Sequence, residues 1–449
     1  MLENMKLTPI PLLLASLTLG SCATAPAVLW SPPSPLPPTA RPGDLLEAQV
    51  LAHRLPKDAG SILEVASTFT LGLQINTSML ASQGFDAWRA SRMANRNAAQ
   101  AVRLRFVGQT PQGDPDLQSG LLLLPEGSKA PSKLDWVIYN RGSEMLRAAV
   151  PSRLANYEID LAWLLASLGH AVWMPDYGGT GDSPGQQHYC VPGSLAASAL
   201  YGLAAARTWQ TQAEGRVENG RLRVMGYSEG GLATMATVKL WSEKPELASG
   251  LDLCDAYPMG APLDLTKNYQ LGLDGRLVVT HPHYTILLVL GWARAYPELI
   301  VPKDILQADI MELIVPMVDG EHSDERIHKA VAELRHKPVG SITVADLYLP
   351  QFLARLKTDP GLEPYLTIRQ EARLDTFVPP GTVAVTLAAS PTDQLVPPDN
   401  SRVSLASLEA AHPAVAPRLI NLASPTHVQA GEEALFFAVM DLDRKTAAP

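Results

Sequence analysis

Cysteine is scarce in this chain. The 449 residues hold three, too few for a disulfide-stapled scaffold or, on their own, for a four-cysteine zinc module. Charge is thin as well: charged residues make up 18% and sum to a net charge of −9. An acidic chain without a basic run is a poor partner for nucleic acid. No repeat of fixed period is found, so the fold is not a stack of repeated units. No segment offers the run of about 18 uninterrupted apolar residues that reads as a membrane span. What the chain does have is 46% apolar residues, globular composition with material for a large core. It also has 38 prolines, about 8.5% against a usual level near 5%. Length alone would suggest about three domains at roughly 150 residues each.

The N-terminus reads as an address. Leu7–Leu19 is mostly apolar and 13 residues long, which fits a signal-peptide core of about 7–15 residues and falls short of the ~20 that span a bilayer. Lys6 supplies the positive flank, and Met5 makes a cleaner start than Met1 because Glu3 spoils the region before it. The segment ends Leu19-Gly20-Ser21-Cys22. Small residues before a cysteine at this place resemble the lipobox of bacterial lipoproteins, which implies lipidation of Cys22 after removal of residues 1–21. Several acyl chains there would anchor the protein stably, and Ala23 after the cysteine points to outer-membrane sorting. Ala23–Gly43 then carries seven prolines in 21 residues, which excludes helix and central strand and makes residues 22–43 a semi-rigid tether.

From Asp44 onward the pattern is α/β. Val102–Val107 and Gly120–Pro125 flank a turn and are expected as an antiparallel pair. Apolar strands at Trp136–Asn140, His170–Pro175, Leu222–Met225, Val383–Ala389 and Arg418–Ala423 then alternate with helices at Ile159–Leu168, Gly193–Trp209, Gly231–Trp241 and Gly431–Asp441. Continuous apolar strands between helices indicate a mostly parallel sheet covered on both faces. The alternation stops between about residues 265 and 374. There, helical pattern at Thr285–Tyr296, Ile305–Val318 and Asp324–Arg335 suggests an inserted helical cap. Leu55–Asn97 is a second irregular, mainly helical stretch.

The chemistry centres on Gly226-Tyr227-Ser228-Glu229-Gly230, a G-x-S-x-G turn between the strand LRVM and the helix GLATMATVKLW. Such a turn presents a serine hydroxyl, and the amide of the next residue, Glu229, is then an oxyanion donor. Gly181–Gly185 matches the same pattern around Ser183, but Pro184 has no N–H to offer and no strand leads straight in; it reads as a structural loop. A serine nucleophile needs a base held by an acid. His427 follows the strand RLINLA and is placed at the same sheet edge as Ser228, whereas His412 precedes that strand. Asp393 follows the strand VAVTLAA at that edge, where sites of open α/β sheets gather; Asp399, Asp255 and Glu432 are rivals. The loop after WVIYN brings Ser143 as the second oxyanion donor, with Gly142 allowing close approach. Cys190 and Cys254 are a candidate disulfide pair in an exported protein, provided that their Cα atoms come within about 7 Å. His281-Pro282-His283 lacks any H-E-x-x-H context and reads as a loop rather than a metal site. The neighbouring run TILLVLGW is a candidate acyl-pocket wall.

These motifs in their order resemble α/β-hydrolases of the secretory lipase family. PGDLLEAQVL is similar to the family's opening, GLLLLPEG to the strand before the oxyanion loop, and PDYGGTGDSPG to its D-Y-x-G-x-G-x-S loop. GYSEGG resembles the nucleophile elbow, WARAYPEL a cap helix, SPTDQLVP the acid loop and SPTH the histidine loop. YNRGS resembles a Y-x-H-G-T pattern with Arg141 in place of histidine. The resemblance covers about Pro42 to the C-terminus and implies an α/β-hydrolase fold with a helical cap and one catalytic unit over 44–449. It implies an ester hydrolase working through Ser228, Asp393 and His427 without metal or organic cofactor. Peptidase or acyltransferase chemistry on the same triad, and an inactive lipid- or partner-binding lipoprotein, are the competing readings.

Overall fold

In a computed structural model, the structure describes residues 35–55, 97–128, 130–156, 158–267, 281–338 and 340–447. Cys22 and the expected signal segment lie outside the described residues, as does all but the two ends of the Leu55–Asn97 stretch. Among the described residues the strands build one nine-stranded sheet in the order β1-β2-β3-β5-β4-β6-β7-β8-β9. Strands β1 (Leu45–Arg54), β2 (Ala98–Gln109) and β3 (Pro115–Glu126) form an antiparallel edge. β4 (Lys133–Asn140) leads through helix α1 (Ile159–Ser167) to β5 (His170–Pro175), which pairs antiparallel with β3 and parallel with β4. Helix α2 (Pro192–Ala213), β6 (Val217–Tyr227), α3 (Glu229–Glu243) and β7 (Asp252–Met259) follow. A long insert holds α4 (Pro282–Ala295), α5 (Asp324–Arg335), α6 (Pro350–Thr358) and α7 (Tyr365–Glu371). The chain then completes the parallel sheet with β8 (Ala384–Ala389), α8 (Asp399–Ala410), β9 (Arg418–Asn421) and α9 (His427–Ala447).

Side chains that alternate along the strands explain the two layers. Trp136 and Ile138 of β4 join a core with α2, α3 and the insert. Val137 and Tyr139, one residue on, join a second core with α1 and α9. Period-2 alternation sends neighbours to opposite faces, so both faces of an apolar strand are consumed, as a covered parallel sheet requires.

The strand order reverses at β4, which lies between β5 and β6. This is the switch point at which ligands of open α/β sheets bind. Asn140, the last residue of β4, is in register with Gly226 of β6. The loops that leave these two strands therefore start side by side.

Several boundaries differ from the sequence expectation. Neither β1 nor β7 was expected. The β1 sequence LLEAQVLAHR is rich in helix formers and only half buried, and its strand state follows from pairing with β2. Asp252, Asp255 and Pro258 make β7 look like a loop, yet Asp255 is buried between Arg223, at 3.2 Å, and Lys445. Ile305–Val318 is not one helix: it divides into a bridge from Leu306 to Tyr348, a π turn at Ile310–Ile314 and a 3₁₀ turn at Val315–Met317 that takes Pro316 within its first two positions. His281-Pro282-His283 is a helix start, with Pro282 at the first position of α4, where its missing N–H is harmless. The structure also leaves Cys190 and Cys254 as free thiols. Cys254 sits near the start of β7 while Cys190 contacts Glu229 beyond the end of β6, so the two lie toward opposite edges of the sheet and cannot bridge.

Candidate active site

Strand β6 runs into Gly226, and the chain reverses over one residue into α3. Ser228 takes the corner at φ 58° and ψ −122°, a conformation costing about 1–3 kcal/mol for a residue with a side chain. The turn closes because its flanks lack Cβ atoms: one at Gly226 would strike the carbonyl of Gly230, and one at Gly230 the carbonyl of Asn140. The strain aims Oγ outward at the sheet edge and places the Glu229 amide at the positive N-terminal end of α3.

Three residues from distant parts of the chain meet at this corner. His427 Nε2 lies 2.8 Å from Ser228 Oγ, and His427 Nδ1 lies 2.6 Å from Asp393 Oδ2. The other oxygen of Asp393 accepts the amides of Leu395 and Val396, both at 2.9 Å, so the carboxylate is fixed before it meets the ring. Tyr227 donates to the His427 carbonyl at 2.9 Å and packs on the imidazole with centroids 4.9 Å apart. His427 is the first residue of α9 rather than a residue ahead of it. Of the rival acids, Glu432 lines the same cavity, but His427 Nδ1 is bonded to Asp393, and the other two lie elsewhere. Asp399 pairs with Arg402 on the surface, and Asp255 belongs to the ion network of β7. Ser183, in the other G-x-S-x-G match, is buried, donates to Asp116 at 2.9 Å and accepts the Gly179 amide.

The loop after β4 forms the adjoining wall. The Gly142 amide is occupied, donating to Glu158 Oε1 at 2.9 Å. Ser143 lines the cavity, and its hydroxyl meets that of Tyr189 at 2.9 Å. Arg141 is fully buried behind the loop, stacked 4.7 Å from the centre of the Tyr177 ring. Glu229 is buried beside it. One carboxylate oxygen accepts the Cys190 amide at 3.0 Å, while the other has no hydrogen bond and lies 3.9 Å from Arg141 Nη1. Burial pushes the Glu229 carboxyl up to about 7, with Arg141 and the Cys190 amide pulling the other way. Burial likewise raises the Tyr189 and Tyr227 hydroxyls well above their usual range.

A cavity of about 360 Å³ stands over Ser228. The insert supplies much of its wall, including Leu265, Tyr284, Leu288, Val344, Tyr348 and Leu356. Glu158, Glu229 and Glu432 also line it, and among the described residues no lysine or arginine does. The rings of His281, which caps α4, His283 on α4 and His328 on α5 crowd together. Burial drives His283 down to about 2, with His328 and His281 adding to the effect. Among the described residues no group of three or more His, Cys, Asp or Glu is placed to hold a metal ion. Sequence reasoning did not find Glu158, Tyr189 or Tyr227 as parts of this site. Tyr227 carried a signal as the variable residue of the elbow, whereas Glu158 and Tyr189 carried none.

The sequence matches no family model and no curated protein sequence. Solved structures do match in shape. A Legionella pneumophila protein superposes with a TM-score of 0.71 at 20% identity, over 89% of this chain and 97% of that one. The rice cell wall degrading esterase LipA from Xanthomonas oryzae gives 0.69 at 19%, over 90% and 96%. Candida antarctica lipase A in its closed state gives 0.60 at 14%, over 92% and 84%. With a mostly parallel sheet, a strained serine corner after β6 and these superpositions, the chain has the α/β-hydrolase fold.

Proposed function

We propose that the protein is a serine carboxylic-ester hydrolase that acts on uncharged esters with an apolar acyl part. The observation that carries this reading is the unbroken chain of hydrogen bonds from Asp393 through His427 to Ser228, at 2.6 and 2.8 Å, on the floor of an apolar cavity. Ser228 Oγ attacks the ester carbonyl as His427 Nε2 takes its proton. Asp393 keeps the imidazole in the required tautomer and offsets the charge that develops on it. The amides of Glu229 and Ser143 hold the oxyanion. His427 returns the proton to the leaving alcohol, and water repeats the sequence to release the acid. The insert acts as a cap that walls the acyl site, and a lining that holds no lysine or arginine among the described residues gives an anionic substrate no ion-pair partner. LipA and Candida antarctica lipase A support the reading, being an esterase and a lipase in their own right.

Ser228→Ala is expected to lower turnover of short p-nitrophenyl esters by at least about 10³-fold and to abolish labelling by a fluorophosphonate probe. A variant that turns over normally removes Ser228 as the nucleophile.

We further propose, from the N-terminal sequence, that the chain is exported and anchored through lipid on Cys22 in a bacterial envelope. Expressed in a bacterium, the mature protein should begin at a lipid-modified Cys22 and fractionate with membranes, and Cys22→Ser should release it. Mass spectrometry of the N-terminus decides, and an unmodified Cys22 in the mature protein rejects the anchor.

A further inference from the structure

The sequence places an arginine where the oxyanion loop of the family it resembles carries a histidine, and the structure shows what that arginine touches. Arg141 Nη1 donates to the carbonyl of Gly142 at 2.8 Å. That carbonyl belongs to the Gly142–Ser143 peptide, whose N–H is the amide of Ser143. The bond is trans, so C=O and N–H point in opposite directions. With the carbonyl drawn back onto the buried guanidinium, the Ser143 N–H faces away from it, on a residue that lines the cavity. A cationic donor on the carbonyl also polarises the peptide and strengthens its N–H as a donor.

The guanidinium is itself held in place. Nη2 donates to the Asp176 carbonyl at 2.7 Å and to Thr180 Oγ1 at 3.2 Å. Its face lies on Tyr177, whose hydroxyl donates back to the Arg141 carbonyl at 3.1 Å. Its nearest counter-charge is the buried Glu229 carboxylate, at 3.9 Å. Glu229 in turn fixes the Cys190 amide, beside Tyr189, which meets the Ser143 hydroxyl. The amide of Gly142 is already committed to Glu158, which leaves Ser143 as the donor this loop presents. Both amides assigned to the oxyanion hole thus belong to residues tied into one buried network.

We propose that Arg141 is the positioning residue of the oxyanion hole: its guanidinium grips the carbonyl of the Gly142–Ser143 peptide and so aims and strengthens the Ser143 N–H, with Glu229 as its counter-charge. This rests on the ester-hydrolase reading given above. Lysine cannot replace it, because a compact ammonium cannot meet the Gly142 carbonyl, the Asp176 carbonyl and Thr180 in one plane while stacking on Tyr177.

The test compares the full-length enzyme with Arg141→Lys and with the double variant Arg141→Met/Glu229→Gln, which keeps the buried site neutral, so that an uncompensated buried charge does not decide whether it folds. Thermal unfolding establishes that each variant is folded. Turnover of p-nitrophenyl butyrate is expected to lose about 10–100-fold in kcat, with KM within about twofold, because the interaction is realised in the transition state. A trifluoromethyl ketone, which forms a tetrahedral oxyanion on the serine, should lose affinity by the same factor as kcat/KM. The methyl ketone of the same chain should bind as before. A merely structural role would not separate these two ligands. A folded variant with kcat within about threefold of wild type overturns the assignment, as does a loss confined to KM or one the trifluoromethyl ketone does not follow. A wild-type enzyme without turnover or a Ser228 adduct would instead sink the ester-hydrolase reading itself.

Discussion

Asp393 and Asp399 lie close together in the sequence, and only their surroundings tell them apart. Asp393 is almost fully buried, receives two backbone amides and faces His427. Asp399 lies on the surface at the start of α8 with Arg402 as its partner. Asp393→Asn is therefore expected to lower kcat by about 10³–10⁴-fold through the wrong imidazole tautomer, while Asp399→Asn leaves kcat within about twofold. Steady-state kinetics on one short ester checks both, and equal effects would remove Asp393 from its role. That Ser228, Asp393 and His427 meet at one sheet edge was legible in the sequence because each lies within a few residues of the end of a strand, and a strand end has a known side of the sheet. Glu158 and Tyr189 were not legible. Their roles depend on the Gly142 amide and the Ser143 hydroxyl, which are remote in sequence and reached only after α1 and the loop before α2 have folded back.

At the scale of elements, the apolar runs found their places and the polar ones did not. β4, β5 and β8 are short, apolar and buried, so pattern alone marks them. β7 was hidden because its buried acid, Asp255, is neutralised by Arg223 and Lys445, partners that only the folded sheet supplies. β1 was hidden because an edge strand with one exposed face reads as well as a helix. The insert shows the same division. The amphipathic pattern of α5 matches its observed limits, Asp324–Arg335, whereas the stretch around Pro316 breaks into short turns. Helix α4 carries the element-scale prediction. Tyr284 and Thr285, with Leu288 one turn on, lie on its cavity-facing side. Leu288→Trp should fill part of that space and shift preference toward short acyl chains. We expect kcat/KM for a butyrate ester to stay within about threefold and that for a dodecanoate ester to fall at least about tenfold, since even one methylene in an apolar pocket is worth about 1–3 kcal/mol. An unchanged chain-length profile would place the acyl chain elsewhere.

For the whole molecule, the buried titratable groups set the response to acid, and they oppose one another. Burial lowers His188 to about 4 and His283 to about 2. Below the ordinary histidine range the unfolded chain takes up these protons and the folded one does not, so stability falls as pH drops from about 6.5 toward 4. Glu229 works the other way. Its folded value is raised to about 7, above the ordinary carboxylate range, so the folded protein binds this proton first. Its contribution to stability is absent at high pH, grows as pH falls below about 7 and is complete near 4.5. Glu229→Gln removes that contribution and leaves the histidines alone. The stability difference between wild type and the variant should therefore move in favour of wild type as pH falls from 7 to 4.5, by on the order of 1 kcal/mol per pH unit, the slope of a single differentially bound proton. Denaturant unfolding of both proteins across that range measures it directly. A difference that does not change with pH would mean that Glu229 remains ionised in the folded state throughout, held by Arg141 more firmly than its burial opposes.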